Sequence, residues 1–341
     1  MRGGLALLAA CAAFAGAAIA SGGAQVAQPA RASVPVLVND AAVLDGMPRK
    51  LSDFAFFQDA PAQLPASGVR PYALKVPLYS DGADKLRFAY APGGKALAAG
   101  EDGLLEWPLG SALIKTFAFG DGADRRLIET RVLLHRAEGW LALPYRWNAE
   151  QTEATLALAG ARMDIDTPDH GTISYRIPNK NQCKECHGLE GAVVPIGPKA
   201  RNLHGGFVEA VLDAPPADTA HFPDWSQWRS ADAETAARTY LDVNCAHCHR
   251  PGATASNSGL DLRYSQDDAQ AIGVLKRPVA AGRGAGGHAF SIQPGDPSRS
   301  IMVHRMNSVE PGVAMPELGK ATVDAEGVAA VERWITGMGA D

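Results

Sequence analysis

"YRIPNKNQCKECHGLEG", residues 175–191, carries an apolar, strand-like run straight into two cysteines three apart, with a histidine directly behind them. The arrangement returns in "YLDVNCAHCHRPGA", residues 240–253, this time behind a helix-like run. Four of the chain's five cysteines fall in these two clusters: Cys183 and Cys186 before His187, Cys245 and Cys248 before His249.

Upstream of the first cluster, "RRLIETRVLLH" (125–135), "GWLALPYRW" (139–147), "EATLALAGARMDI" (153–165) and "GTISYRIP" (171–178) are short runs of Val, Ile, Leu, Tyr and Thr between polar turns. Leu127, Glu129 and Arg131 alternate with Ile128, Thr130 and Val132, which predicts strands. "FAYAPGGKALA" (88–98) predicts a hairpin around Gly93-Gly94. The region reads as an antiparallel sandwich or small barrel, with the first cluster hung from its last strand. Around the second cluster the period changes. "AETAARTYLDVN" (233–244) places Ala236, Tyr240, Leu241 and Val243 near helical spacing. Near the C-terminus, Val328, Val331, Trp334 and Ile335 share another helix face. Gly- and Pro-rich loops lie between the two helices.

The spacing has a chemical reason. Residues three apart lie on one side of a helical turn, so two thiols there can add to the two vinyl groups of one haem. The next residue then offers its imidazole to the iron, and the pattern is the c-type haem attachment signature. A thiol–disulfide exchange pair needs no following histidine. Zinc held by two CxxC pairs leaves both histidines unexplained. Two covalent c-type haems are therefore expected, attached at Cys183/Cys186 and Cys245/Cys248, with His187 and His249 as iron ligands. His247 reads as a spacer on the exposed side of the second cluster.

For the second haem, Met315 in "EPGVAMPELG" (310–319) is the expected sixth ligand, because a thioether suits low-spin iron and Pro316 restricts the loop. Met302, Met306, His304 and His288 are its rivals. For the first haem His204 is the candidate, beside Met163, His170 and His221, and an open sixth position is the alternative. Lys115 and Lys180 read as surface or structural charges.

These motifs carry a resemblance. "YLDVNCAHCHRPGA", "IQPGDPSRSIMVHRM" and "GVAMPELGKATVDAEGVAAVERWI" resemble the C-terminal half of a family of bacterial diheme c-type cytochromes. "WPLGSALIKTFAF", "RLIETRVLL" and "GWLALPYRWNAEQTEATLALAG" resemble its N-terminal half. The resemblance implies an α+β fold: an antiparallel β-rich domain with one haem, then an all-α class I cytochrome c-like domain with the second. It implies that Cys245 and Cys248 attach haem between His249 and Met315, and that Tyr240 and Trp334 sit where two helices cross. A weaker likeness is to β-sheet cytochromes c′, whose open haem binds small gases.

The expected organisation is a signal peptide over 1–20, a flexible linker over 21–44, the β-rich domain over 45–210, a linker over 211–231 and the helical domain over 232–341. Trp225 and Trp228 would pin the second linker. Arg2, the apolar run 5–20 and Ala18-Ile19-Ala20 form an export signal, which places the protein in the periplasm. Leu8-Ala9-Ala10-Cys11 also has the form of a lipoprotein box, with a lipid anchor at Cys11 as the alternative to cleavage. No later apolar run approaches the length of a membrane span. The formal net charge of −5, with no clustered basic face, argues against nucleic acid. The function expected is single-electron transfer between a redox protein donor and acceptor, with a dehydrogenase as one possible partner. The alternative is a haem enzyme or gas-binding protein, peroxidase-like or nitric oxide-binding, using an open first haem.

Overall fold

The computed structural model describes residues 35–94, 97–212, 222–279 and 281–339. Residues 1–34 and 213–221, the latter including His221 and part of the expected 211–231 linker, lie outside the described residues, and with them the signal segment and Cys11. Pro35–Asp341 forms one compact unit.

The alternating runs do become strands. The first hairpin is β1 (Phe57–Asp59) with β2 (Leu64–Pro65). Then come β3 (Val69–Tyr72), β4 (Asp84–Tyr90), a small pair of β5 (Ala98–Ala99) with β6 (Leu105–Glu106), and β7 (Ala112–Phe119). Next are β8 (Arg126–Arg136), β9 (Gly139–Trp147), β10 (Ala154–Leu156), and a hairpin of β11 (Ala161–Thr167) with β12 (Gly171–Ile177). Two more residues each in β13 (Gly188–Leu189) and β14 (Ala192–Val193) close the series. Six strands pair antiparallel in the order β10-β9-β8-β7-β4-β3, an open sheet and not a sandwich or barrel. The expected hairpin at Gly93-Gly94 does not form: a single 3₁₀ turn spans Pro92–Gly94, and β5 pairs with β6 instead.

One face of the sheet is mostly apolar, its buried Thr116 and Thr130 hydroxyls bonded to each other at 2.8 Å. Ile114, Val132, Leu134, Leu143 and Tyr145 pack there with Phe54 and Val43, all of them 1% exposed or less. Burying each such side chain is worth about 2 kcal/mol, so this layer anchors the sheet. Val43 belongs to the short helix α1 (Asp40–Leu44), so part of the stretch expected to be a flexible linker is packed into the core. The opposite face is apolar only at its ends. Leu113, Leu133 and Ala89 pack with Trp107 at one end, and Phe117, Phe119 and Ile128 meet Tyr175 at the other. Between them it carries Lys85, Arg87, Lys115, Glu129 and Arg131, paired across the strands.

After β12 the chain turns into α2 (Cys183–His187), then α3 (Gly205–Val211), α4 (Ala233–Asn244), α5 (Ala269–Ile272), α6 (Ile301–Met306) and α7 (Ala325–Gly337). Asp232 and Asp324 cap α4 and α7 by accepting from the backbone N–H of Thr235 and Gly327, each cap being worth about 1 kcal/mol. The two helices pack closely, and Tyr240 and Trp334 share one core cluster between them. Gly327 permits the approach, since a Cβ there would run into the Tyr240 ring.

The expectation of an all-α class I cytochrome c-like domain is corrected by this architecture. A β-rich region is followed by a few short helices. Among the described residues there are seven helices, and only α4 and α7 exceed seven residues. Gly- and Pro-rich stretches such as 281–290 and 292–299 form turns and 3₁₀ segments where an all-α domain needs helix. The helical part is also knitted to the sheet region. Lys199 and Arg201 bridge Asp102 to Asp242 of α4. Asn244 accepts from the Tyr79 backbone N–H at 2.7 Å, and Asp81 accepts from the backbone N–H of Ala321 at 2.6 Å.

Candidate functional site

The two cysteine clusters, 58 or more positions apart along the chain by the difference of 245 and 187, come together in space. They line one cavity of about 680 Å³, whose wall includes all four cysteines, His187, His249 and Met315. The sheet's charged middle forms another part of that wall through Lys115 and Arg131.

The first cluster is placed by the strand before it. β12 ends at Ile177, Pro178 bars further pairing, and Asn179 caps the turn that starts α2 by accepting from the Gln182 N–H at 2.9 Å. One helical turn then sets Cys183, Cys186 and His187 along the cavity. The second cluster follows α4 in the same way, with the chain leaving the helix at Cys245. Backbone contacts join the clusters: the Thr254 hydroxyl donates to the Glu185 carbonyl at 2.6 Å, the Cys248 thiol to the same carbonyl at 3.1 Å, and the Glu190 N–H to the Gly252 carbonyl at 2.9 Å.

Both histidines are held in one tautomer. His187 Nδ1 lies 2.8 Å from the Val194 carbonyl, which can only accept, so Nδ1 carries the proton. His249 Nδ1 lies 3.0 Å from the Ser258 hydroxyl. That hydroxyl spends its proton on the Ala255 carbonyl at 2.7 Å, so it accepts from His249. In each ring the lone pair is left on Nε2. Burial holds both rings neutral: it pushes His187 down to about 3, with the Lys115 ammonium adding to it, and His249 down to about 4. A neutral imidazole with Nδ1–H tied to an acceptor is the form that ligates a metal through Nε2.

No disulfide joins any of the four described cysteines. Burial raises Cys245 to about 12. Cys186 is raised to about 12, first by its hydrogen bond to Cys248 and then by burial. His247 is not on an exposed side. It lines the cavity, its Nδ1 is buried without a hydrogen-bond partner, and it groups with Cys186 and Cys248 so that their donor atoms all lie within 4.8 Å of one another. Three soft donors could hold a cation, but a closed structural zinc takes four.

Met315 lines the cavity, and so do its rivals Met302 and Met306. The loop of Met315 is tied down: its N–H donates to the Arg305 carbonyl at 3.0 Å, and Lys320 donates to the Met315 carbonyl at 2.5 Å and to that of Met306. His288 and His304 pack edge to face away from the cavity lining. The candidates for the first haem fare differently. His204 is half-exposed, stands 3.6 Å from Asp224 before α3, and does not line the cavity. Met163 lies on β11 against the Tyr175 cluster, and His170 sits in the β11–β12 turn near Tyr79. None of the three is brought to the cysteines.

Arg201 is committed to Asp102 and Asp242. Trp225 and Trp228 stack on each other, and Trp225 packs on Tyr240, so they do pin the chain between the two regions. Sequence reasoning missed Lys115 and Arg131 as cavity groups. Alternation put Arg131 on one face with Glu129, but only the pairing of Lys115 with Arg131 across the strands brings both to the cavity.

No family model, no curated protein and no solved structure matches this chain. Among the described residues, no helix is long and apolar enough to cross a membrane.

Proposed function

We propose that the chain is a periplasmic two-haem c-type cytochrome that passes single electrons between redox proteins, in keeping with the diheme family its motifs resemble. The observation that carries this reading is the paired imidazole geometry. Both His187 and His249 have Nδ1–H donated to a fixed acceptor, and both stand in a cavity that also holds two thiols of each CxxCH cluster.

The donor set fits haem. Cys183 and Cys186 would hold one macrocycle and Cys245 and Cys248 the other, through thioether bonds. His187 and His249 would bind the irons, with Met315 as sixth ligand of the second. Bound there, each haem supplies a one-electron couple. The chain's part is to tune and connect the two couples. Val194 and Ser258 raise the basicity of the imidazoles by accepting from Nδ1. Arg305 and Lys320 keep the Met315 loop in place. The junction of the clusters at Glu185, Thr254 and Cys248 keeps the attachment points side by side, which suits passage of an electron from one to the other. Donor and acceptor would be other redox proteins, a dehydrogenase among them.

A second reading has its own support. His204, Met163 and His170 all lie away from the cavity, which leaves the first haem without any of those side chains as sixth ligand. An open first haem would bind small gases or reduce peroxide. Carbon monoxide added to the reduced protein separates the readings: a Soret shift favours the open haem, and an unmoved spectrum favours electron transfer alone.

The test of the main reading is mass. Protein made in a host with cytochrome maturation machinery should weigh two haems more than its polypeptide, and Cys245→Ala should remove one of them. A colourless product carrying zinc at Cys186, His247 and Cys248 would end the proposal.

A further inference from the structure

The charged middle of the sheet is unbalanced. Register places Arg87 opposite Lys115 and Lys115 opposite Arg131, three cations in one row across β4, β7 and β8. Lys85 lies two residues before Arg87 on the same face. Like charges directly opposite destabilise a sheet, and buried charges need partners. The face carries one carboxylate, Glu129, which is fully buried. It is already spent: Arg131 donates to it twice, at 2.8 and 2.6 Å, and the Tyr175 hydroxyl once, at 2.7 Å. Among the described residues, Lys85 and Arg87 donate only to backbone carbonyls, of Ala83 and of Lys85. The Lys115 ammonium has, among the described residues, no hydrogen-bond acceptor and no carboxylate in ion-pair contact, feels Glu129 only at a distance, and stands 5.3 Å from the centre of the Phe117 ring.

The row also has an opening. Lys115 and Arg131 line the main cavity beside Cys183, Cys186 and His187, and with Arg87 they line a side pocket of about 90 Å³ that reaches His187. We propose that this row is an anion seat, in which Lys115, flanked by Arg131 and Arg87, pairs with a carboxylate of the haem carried by Cys183, Cys186 and His187. The inference rests on the reading of the first cluster as a haem site. It explains why the chain spends three cations on one strip of a half-buried face. Burial, with Arg131 and Arg87 adding to it, pushes the Lys115 ammonium down to about 7, and a carboxylate partner would reverse this. The other titratable groups facing the seat are Lys85, Glu129, Tyr72, Tyr175, Cys183, Cys186 and His187, and Lys199 and Asp242 line the side pocket with it.

Redox titration of the holoprotein between pH 5 and 8 tests the seat, alongside Lys115→Met, Lys115→Arg and the milder Arg87→Gln. In the parent the potential of the haem on Cys183 and Cys186 should stay level, because its seated carboxylate remains ionised. In Lys115→Met one potential should become pH-dependent, falling as pH rises, with the carboxyl at least tenfold weaker as an acid. Lys115→Arg should restore the parent curve, and Arg87→Gln should move it the same way by less. Unaltered curves in Lys115→Met and Arg87→Gln, with two haems present by mass, overturn the seat and leave the two-haem reading standing. So does a parent potential that falls through pH 7 and is flattened by Lys115→Met, since that is a bare lysine titrating. Saturable shifts of the parent spectrum by inorganic phosphate would assign the row to a free oxyanion and overturn it as well. A product without haem instead fails the underlying reading.

Discussion

Replacing Asp242 by Asn should reveal how firmly the sheet region and helix α4 are joined. Asp242 is 3% exposed and accepts from Lys199 at 2.9 and 3.0 Å, from Arg201 at 3.0 Å and from the Tyr264 backbone N–H at 3.0 Å. Asn keeps the shape and can still accept from Tyr264, but it removes the charge facing two partly buried cations. Breaking a buried ion pair by deleting one partner costs about 3–5 kcal/mol. Asp102 continues to hold both cations at 2.5 Å, so the loss should fall at the low end, about 3 kcal/mol. Urea unfolding at pH 7 measures it as a lowered midpoint with an unchanged slope. Pairing Asp242→Leu with Lys199→Met should cost less than the two single changes added together, because the double variant strands no charge there. A loss below about 1 kcal/mol for Asp242→Asn would refute the argument, since that is what an exposed pair contributes.

Further outcomes follow from the same geometry. Ser258→Ala removes the acceptor of His249 Nδ1–H, weakens the imidazole as a donor to iron, and should raise one haem's potential in a redox titration. Met315→Ala should lower one potential and abolish its far-red sulfur-to-ferric-iron band; a surviving band would move the assignment to Met302 or Met306, which line the same cavity. Lys320→Met deletes the donor to the Met306 and Met315 carbonyls and should cost about 1–2 kcal/mol in urea unfolding. Acid should loosen the Asp102 cluster. Burial raises that carboxyl, but Lys199 and Arg201 outweigh it and hold it below its ordinary value. A depressed carboxylate stabilises the fold fully above its unfolded pKa of about 4, and the contribution is lost as pH falls through the lower folded value. Asp102→Asn should therefore flatten the stability profile below about pH 4.

What could be read from the sequence was local. The CxxCH spacing, the strands Arg126–Arg136 and Gly139–Trp147, and the capped helices at Ala233–Asn244 and Ala325–Gly337 each depend on neighbours within a few residues. What escaped was set by distant partners. The run 88–98 carried a hairpin signal, yet β4 found β3 and β7, while Ala98–Ala99 paired with Leu105–Glu106. Lys115 looked like a surface charge because its run gives no sign that the strand face is covered. His247 looked like a spacer because Cys186, its neighbour in space, lies 61 positions away by the difference of 247 and 186. The all-α reading failed on loop length: glycine and proline between the helices favour turns, and no periodicity argument reports how much helix they leave.

The single chamber walled by sheet and helices has a consequence for cutting the molecule. A chain ended before Ala233 would keep Cys183, Cys186 and His187 but lose their roof, baring Leu133 and Ile196 to water and leaving Asp102, Lys199 and Arg201 without their buried fourth member. The later fragment alone would lose the floor that Tyr79 and Asp81 build beneath Asn244 and Thr322. Neither piece is a free-standing unit, and limited proteolysis should therefore digest both halves together once either has opened.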